Sequence, residues 1–260
     1  MPRIKFISAR NNAFITELYK LKQKKHRNRT GLFYFEGIKL LEEVLNSKYR
    51  GNIRYIVAEQ NMAERIEAVT DFGIITVTGE VYKKISDEEA FQGVMCVMEK
   101  PKEIELSYKK PVIILCSVRD AGNVGTIVRA ADALCDTDMI LSGDSADIYS
   151  SKTQRAAMGA AFRQNIKISK NIEEDIANLK KIGYNVFAAH LDKNSRKINE
   201  LEFNSKTAVI FGNEGEGLDE KITELCDDKM IIPINRNSES LNVSVAAGIV
   251  LWEMGKRQLC

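Results

Sequence analysis

The sequence of 260 residues is poor in the side chains that build disulfide frameworks, zinc sites and serine hydrolase triads. Its five cysteines are odd in number and scattered, without a Cys-x-x-Cys pair. This argues against disulfides and structural zinc and favours a reducing cytoplasm. There are only two histidines, His26 and His190, and no Gly-x-Ser-x-Gly elbow, which disfavours a Ser-His-Asp hydrolase. Because His190 ends an apolar strand-like run, we expect it to have a structural role.

Long apolar runs are also absent. The longest, at residues 243–252, contains Ser244 and is far shorter than the roughly 20 residues that a membrane-spanning helix needs. The amino terminus, Met-Pro-Arg-Ile-Lys-Phe, has no apolar signal core. We therefore expect a soluble, cytoplasmic protein without a membrane partner.

Positive charge is concentrated in one segment. The net charge of +2 does not by itself indicate a nucleic-acid partner, but residues 20–29 contain seven basic or potentially basic side chains. Such a cluster is more often a solvated helix face. Its density leaves a phosphate-binding patch as the functional alternative.

Alternating strand and helix patterns predict two α/β domains. Apolar runs predict strands at residues 32–35, 53–58, 74–78, 94–98, 112–118, 139–141, 166–169, 185–189, 208–211 and 230–234. Helical spacing predicts helices at residues 12–25, 38–45, 62–69, 124–134, 153–162, 172–182 and 218–226. The continuous apolar run at 112–118 is typical of a mostly parallel sheet. We predict a first domain at residues 1–100, a charged, proline-bracketed linker at 101–111 and a second domain at 112–260.

Three loops at predicted strand ends carry polar residues, and ligands collect at strand ends in open α/β sheets. In the first loop, residues 119–129, Asn123 stands at the N-cap position of the predicted helix and Arg129 points away from its apolar stripe. The plain interpretation is that Asn123 caps the helix and that Arg129 lies on an exposed helix surface. The functional alternative is an anion site, because helix amino termini and arginines both bind phosphate.

The second loop, residues 211–218, has three glycines and two glutamates. Glycines let the backbone approach a ligand closely, whereas a turn before a helix is the plain interpretation. The pattern is neither a Rossmann fingerprint nor a P-loop. Its carboxylates, Glu214 and Glu216, favour a neutral or cationic ligand over a phosphate.

The third loop joins a short strand to a helix that opens with Ser240-Leu241-Asn242. Ser240 and Asn242 could simply cap this helix, and Ile232 and Leu241 could be core residues. The helix is almost wholly apolar from residue 243 to residue 252, so it must be buried in the domain core or against a second subunit.

Taken together, the three loops resemble the motifs of the SpoU (TrmH-type) branch of the SPOUT RNA methyltransferases. The matching residues are Asn123-x-Gly125-x-x-x-Arg129, Gly212-Asn213-Glu214-Gly215-x-Gly217-Leu218, and Ile232-Pro233 followed by Ser240-Leu241-Asn242-Val243-Ser244-Val245-Ala246. This resemblance covers residues 112–257. More loosely, Phe35-Glu36-Gly37 and Gln92-Gly93-Val94 resemble the small substrate-binding domain often found in the family.

The resemblance implies a fold and an activity. The fold would be a SPOUT-type, mostly parallel α/β sheet with a carboxyl-terminal trefoil knot, an exception to the general avoidance of knots, preceded by a small α/β ribosomal-protein-like RNA-binding domain. The activity would be S-adenosylmethionine-dependent methylation of a ribose 2′-hydroxyl in structured RNA, with 23S rRNA favoured over tRNA. The family forms homodimers through the knotted region, which would account for the apolar helix.

The same resemblance implies roles for individual residues. Arg129 matches the catalytic arginine of the family, but a guanidinium with a pKa above about 12 is a very poor base. A phosphate of the RNA, fixed by Arg129, is at least as suitable a proton acceptor as Arg129 itself. Asn123 would orient Arg129 or the ribose. The full implied sets are Arg129, Asn123, Glu214, Ser240 and Asn242 for catalysis and Gly212, Ile232 and Leu241 for the cofactor, with no metal.

Three positions depart from the usual family pattern. Arg236 stands where the third loop commonly has glycine, Ala121 where proline is frequent, and Ala157 where serine is frequent. Arg236 could alter the loop or contact an RNA phosphate. The alternatives are a tRNA 2′-O-methyltransferase and a non-enzymatic RNA-binding protein with a degenerate methyltransferase fold. A nucleotide-dependent oxidoreductase is disfavoured because Asp120-Ala-Gly-Asn-Val-Gly lacks the dinucleotide fingerprint.

Overall fold

The computed structural model describes residues 5–102, 104, 106–192, 195–235 and 237–259. The chain divides into two units: Met1–Lys102 with Tyr149–Phe162, called unit 1, and Glu103–Ile148 with Arg163–Cys260, called unit 2. Each unit has its own sheet.

Unit 1 is built on a five-stranded sheet. Its strands are ordered β1-β4-β3-β5-β2, and β5 is antiparallel to both of its neighbours. Alternate residues of a strand face opposite sides of the sheet, so Ile56 packs in the core with α3 and α4 and Val57 packs with α1 and α5. The elements are β1 (Lys5–Ile7), α1 (Ala13–Lys20), α2 (Lys24–Thr30), β2 (Leu32–Glu36), α3 (Ile38–Leu45), β3 (Ile53–Glu59), α4 (Ala63–Glu67), β4 (Ile74–Val77), α5 (Gly79–Ile85) and β5 (Val94–Glu99).

A segment from the middle of the chain also packs in unit 1. The sequence predicts residues 149–162 to be part of the second domain, but their aromatic side chains complete the unit 1 core. The ring of Tyr149 lies 5.0 Å from that of Phe33, and the ring of Phe162 lies 5.4 Å from that of Phe35. Position in the sequence does not reveal this packing.

The basic cluster at residues 20–29 is not one solvated helix face. The single helix predicted at residues 12–25 is wrong, because the chain breaks into α1 and α2. Arg27 is buried, and its Nη1 donates to the carbonyls of Leu21 and Lys22 at 2.8 and 2.9 Å. His26 is buried as well. The hydrogen bonds of Arg27 hold the break together, whereas Lys24, Lys25 and Arg29 are exposed.

Unit 2 is built on a seven-stranded, parallel sheet ordered β10-β12-β9-β11-β6-β7-β8. The mostly parallel α/β fold predicted from the sequence is therefore confirmed. In chain order the elements are β6 (Val112–Leu115), α6 (Ala121–Leu134), β7 (Asp138–Ser142), α7 (Ser151–Ala157, in unit 1), β8 (Asn165–Ser169), α8 (Ile172–Lys181), β9 (Asn185–Ala189), β10 (Arg196–Lys197), β11 (Thr207–Phe211), α9 (Glu220–Leu225), β12 (Asp228–Ile231) and α10 (Val243–Leu259).

The order of these strands decides which loops are neighbours. The chain runs outward from β6 through β7 to β8, crosses to β9, and then inserts β11 between β9 and β6. Leu115 pairs with Phe211 at the carboxyl ends of β6 and β11. The loops that follow these two strands therefore begin side by side, although Asn213 and Ser117 in these loops are 96 positions apart along the chain.

Helix α10 packs along α6 within unit 2. Its buried side includes Val250 and Leu251, whereas Val245 and Trp252 are each 50% exposed. The apolar helix thus has one face in the core and another on the surface of the chain. No helix in the described part of the chain is long and apolar enough to cross a membrane.

Gly255 lets α10 approach the end of α6, and an added methyl group tests this contact. A Cβ at this position would lie 1.8 Å from the carbonyl oxygen of Leu134. We expect Gly255→Ala to lower the free energy of unfolding by about 1–3 kcal/mol, because the helices must separate. Gly248, in the same helix, has no heavy atom within 4 Å of an added Cβ. Gly248→Ala should instead raise the free energy of unfolding by up to about 1 kcal/mol. Chemical denaturation measures both, and equal effects would contradict the close contact.

Candidate active site

The first loop enters α6 earlier than the sequence predicts. The helix begins at Ala121, and its N-cap is Asp120, whose Oδ1 accepts from the backbone N–H of Asn123 at 2.8 Å. The prediction of Asn123 as the N-cap is therefore wrong. Because an aspartate caps the helix at the preceding turn, the side chain of Asn123 is available for other contacts.

Asn123 links the three loops through its side-chain amide. Its Nδ2 donates to Glu214 Oε1 at 2.9 Å, and its Oδ1 accepts from Asn242 Nδ2 at 3.1 Å. Each bond has a defined direction, because only the amide nitrogen can donate and a carboxylate can only accept. One residue from each loop therefore belongs to a single hydrogen-bonded chain.

Asn242 also caps the last helix. Its Oδ1 accepts from the backbone N–H and the hydroxyl of Ser244 at 2.9 and 2.6 Å. Because α10 begins at Val243, Ser240 and Leu241 lie in the loop before the helix and do not open it as predicted. The capping role considered for Asn242 is present together with its bond to Asn123.

The glycine-rich loop folds back on itself. The backbone groups of Asn213 and Gly217 exchange two hydrogen bonds, at 2.9 and 3.0 Å. A Cβ on Gly212 would lie 2.3 Å from the carbonyl oxygen of Gly217, so no larger residue fits without moving backbone. Asn213 Oδ1 accepts from the N–H groups of Gly215 and Glu216 at 2.9 and 3.1 Å. Asn213 is missing from the predicted site residues, although an asparagine beside a glycine is typical of such a turn.

A cavity of about 440 Å³ lies beside these loops, at the carboxyl ends of β9, β11 and β12. Its volume is within the range of about 300–1,000 Å³ usual for small-molecule sites. Of the predicted site residues, Gly212, Glu214, Ile232, Ser240 and Leu241 line it. Asn123 and Asn242 join Glu214 at the rim through the hydrogen bonds described above.

His190 also borders this cavity. Its backbone N–H donates to the carbonyl of Met230 at 3.1 Å, which joins the ends of β9 and β12. The sequence predicts only a structural role for it. His190 directly follows a parallel strand, and the neighbouring strand leads into the glycine-rich loop. This position could have identified His190 as a site residue.

Arg129 lies apart from the hydrogen-bonded chain. It is exposed on α6, on the side of the helix away from the buried residues Val124 and Val128. Among the described residues no hydrogen bond or ion pair engages its guanidinium. Arg236, which was predicted to alter the third loop or contact phosphate, lies outside the described residues.

The cavity carries negative charge. Three carboxylates line it, those of Glu214, Glu216 and Glu239, and its described lining includes no lysine or arginine. Such a lining suits a neutral or cationic ligand better than a phosphate.

Nearby, burial raises the pKa of the Cys116 thiol, which keeps this cysteine protonated and unsuited to act as a nucleophile at neutral pH. Within the part of the chain that is described, no group of three or more His, Cys, Asp and Glu residues could hold a metal ion.

Comparison with known proteins assigns family models to both parts of the chain. Residues 110–252 match the model of the SpoU rRNA methylase family. Residues 12–96 match the model of the MRM3-like substrate binding domain.

Three known proteins illustrate the similarity. The chain is 30% identical to the 23S rRNA (guanosine(2553)-2′-O)-methyltransferase RlmP of Bacillus subtilis, over 96% of this chain and 99% of that protein. It is similar to the structure of an AdoMet-bound rRNA methyltransferase from Sinorhizobium meliloti, with 30% identity, a TM-score of 0.85 and 99% of each chain covered. The tRNA (guanosine(18)-2′-O)-methyltransferase of Escherichia coli is 29% identical over 59% of this chain and 67% of that protein.

The cap assignment at the start of α6 is tested by two substitutions at one position. Asp120→Ala removes the N-cap and should lower the free energy of unfolding by about 1 kcal/mol. Asp120→Asn keeps a side-chain oxygen that can cap the helix and should change the same quantity by no more than about 0.5 kcal/mol. Urea denaturation of both variants measures this. Equal losses for the two variants would contradict the assignment of Asp120 as the cap.

Proposed function

The chain belongs to the SpoU rRNA methylase family, and we propose that it transfers the methyl group of S-adenosylmethionine to a ribose 2′-hydroxyl of structured RNA, with 23S rRNA as the favoured substrate. The observation that carries the proposal is the hydrogen-bonded chain from Glu214 through Asn123 to Asn242. It joins the three family motifs at the rim of one cavity.

The lining of the cavity fits S-adenosylmethionine. Ile232 and Leu241 provide apolar wall, Gly212 brings backbone to the surface of the cavity, and the carboxylates favour a cationic ligand. The Sinorhizobium meliloti relative is described with AdoMet bound. When bound, S-adenosylmethionine supplies a methyl group on a positively charged sulfur, which a nucleophile attacks in line.

The residues of this chain would position the RNA for that attack. Positioning alone can supply a large part of the rate of such a transfer. Arg129 has a solvent-exposed guanidinium suited to holding an RNA phosphate in two parallel hydrogen bonds. That phosphate, and not the guanidinium, would accept the proton of the 2′-hydroxyl. Asn123, Glu214, Ser240 and Asn242 would form the rim that orients the ribose.

Unit 1 supports rRNA over tRNA as the substrate. We propose that residues 1–100 form an RNA-binding domain joined by a linker at residues 101–111 to a catalytic domain at residues 112–260. The relative named as a 23S rRNA enzyme matches 96% of this chain, whereas the relative named as a tRNA enzyme matches 59%. Lys25, an exposed basic residue of α2, is available for a phosphate contact.

The knot, the dimer and the location in the cell are further parts of the proposal. The insertion of β11 between β9 and β6 and the return of α10 to α6 support a carboxyl-terminal trefoil knot. The side chains of Val245, Ile249 and Trp252 recur at helical spacing outside the buried face of α10, which supports a homodimer through this region. None of the described cysteines forms a disulfide bond, which supports a cytoplasmic location.

Mapping of 2′-O-methyl groups tests the enzymatic function. Total RNA from cells with and without the gene is compared, and we expect one 23S rRNA site to lose its methyl group when the gene is deleted. The purified protein should restore the site in the presence of S-adenosylmethionine. An unchanged map would favour the non-enzymatic alternative, and a lost tRNA site would favour the tRNA alternative.

Arg129→Ala separates catalysis from cofactor binding. We expect it to reduce kcat by at least about 100-fold, the scale typical for loss of a transition-state donor, while the Kd for S-adenosylmethionine changes less than about twofold. Thr126, exposed on the same helix, provides the matched control, and Thr126→Ala should retain activity. Single-turnover methylation and calorimetry measure the two quantities. Loss of cofactor binding together with activity would contradict this role.

Trp252→Arg tests the proposed dimer surface. A charged side chain in the centre of an apolar interface carries a large desolvation cost, so we expect the dimer to become a monomer in sedimentation equilibrium. Ile182 is 42% exposed elsewhere in unit 2, and Ile182→Arg should leave the dimer intact. A wild-type monomer, or a Trp252→Arg dimer of unchanged affinity, would exclude this surface.

A further inference from the structure

Ser117, two residues after the end of β6, has a left-handed backbone. Its φ is +58°, a region that residues other than glycine seldom occupy. Such conformations persist only where surrounding contacts hold them. The contacts of Ser117 therefore show what depends on its geometry.

The last residue of β7 and the loop that follows it supply these contacts. Ser142 Oγ accepts from the N–H of Ser117 at 2.8 Å, and Ser117 Oγ donates to Asp144 Oδ2 at 2.6 Å. The other carboxylate oxygen, Asp144 Oδ1, accepts from Ser142 Oγ at 2.6 Å. Asp144 thus holds both serines at once.

Two further observations show that Asp144 and the backbone around Ser117 are held in place. The hydrogen bond from Ser117, followed by that from Ser142, holds the pKa of Asp144 below its ordinary value, so the carboxylate is charged at neutral pH. Ser145 is buried, and its Oγ accepts from the N–H of Val118 at 3.1 Å. The peptide groups on both sides of Ser117 are therefore fixed by the end of β7 and the loop after it.

The carbonyl of Ser117 links this backbone conformation to the glycine-rich loop. It accepts from Asn213 Nδ2 at 3.0 Å. The Oδ1 of the same amide holds the N–H groups of Gly215 and Glu216. Because φ of Ser117 sets the direction of its own carbonyl relative to β6, a change at Ser117 would remove the anchor of Asn213.

We propose that Asp144 and Ser117 are positioning residues for the cofactor loop. Asp144 keeps Ser117 in its left-handed conformation, the Ser117 carbonyl anchors Asn213, and Asn213 shapes residues 213–217 along the cavity wall. The predicted effect on cofactor binding rests on the proposed function. The predicted effect on the order of residues 213–217 is independent of that function, so the two effects can be measured separately.

The test uses alanine at residue 144 and glycine at residue 117. Asp144→Ala should weaken binding of S-adenosylmethionine about fivefold to tenfold in calorimetry, because a charge-assisted pair of hydrogen bonds is lost. It should also speed hydrogen exchange at the amides of Gly215 and Glu216. Glycine adopts positive φ without steric cost. Ser117→Gly in the Asp144→Ala background should therefore restore both measurements to within about twofold of wild type.

The restoration by glycine separates positioning from a general loss of stability. A merely structural Asp144 would give a defect that glycine, with fewer contacts, makes worse. Asp136, an exposed carboxylate before the other end of β7 that pairs with Lys110, provides the matched control. Asp136→Ala should change neither measurement.

Two outcomes would overturn the proposal. One is wild-type exchange at Gly215 and Glu216 in Asp144→Ala; the other is a folded double variant that exchanges as fast as Asp144→Ala. If Asp144→Ala unfolds, Asp144→Asn, which keeps one acceptor, replaces it with the same expectations. A wild-type protein that does not bind S-adenosylmethionine would contradict the proposed function, while the exchange measurement would still decide the role of Asp144.

Discussion

The parallel pairing of β11 with β6 is the constraint on which the site depends. Strands in a parallel sheet end at the same edge, so the pairing of Leu115 with Phe211 makes the first and second loops neighbours. The bond from Asn123 to Glu214 and the bond from Asn213 to the Ser117 carbonyl both cross between these loops. A different strand order would separate both of these residue pairs.

The third loop depends on a second constraint, the close approach of α10 to α6. Gly255 allows the contact at the far end of α6, and at the other end Asn242 reaches Asn123 in the first turn of the same helix. The two helices are thus fixed near both ends. Because Asn242 caps α10 and also bonds to Asn123, the start of the last helix and the rim of the cavity have a common anchor. Stability and site geometry therefore share the same contacts in this part of unit 2.

The sequence predicts much of this fold because its strands are buried and its motifs are local. Helix α3 and strand β9 have the bounds that were predicted, residues 38–45 and 185–189. The short edge strand β1 was missed, since three residues are too few for a hydrophobic period to appear. The start of α6 was misplaced because Asp120 and Asn123 are both suitable caps and only the structure distinguishes them. The packing of residues 149–162 in unit 1 rests on aromatic contacts with distant residues, which no local pattern encodes.

The predicted site residues differ in how far contacts within the protein hold them in place. Those carried by backbone geometry, Gly212 above all, are surrounded by protein and cannot change without moving the loop. Arg129 is exposed and has no partner among the described residues, as expected of a group whose partner is the substrate. An arginine already paired within the protein would have to break that pair before it could hold a phosphate, and the lost interaction would weaken binding. The cavity wall is therefore preorganised by contacts within the chain. The guanidinium of Arg129, which we propose binds the RNA, makes no such contacts among the described residues before the RNA binds.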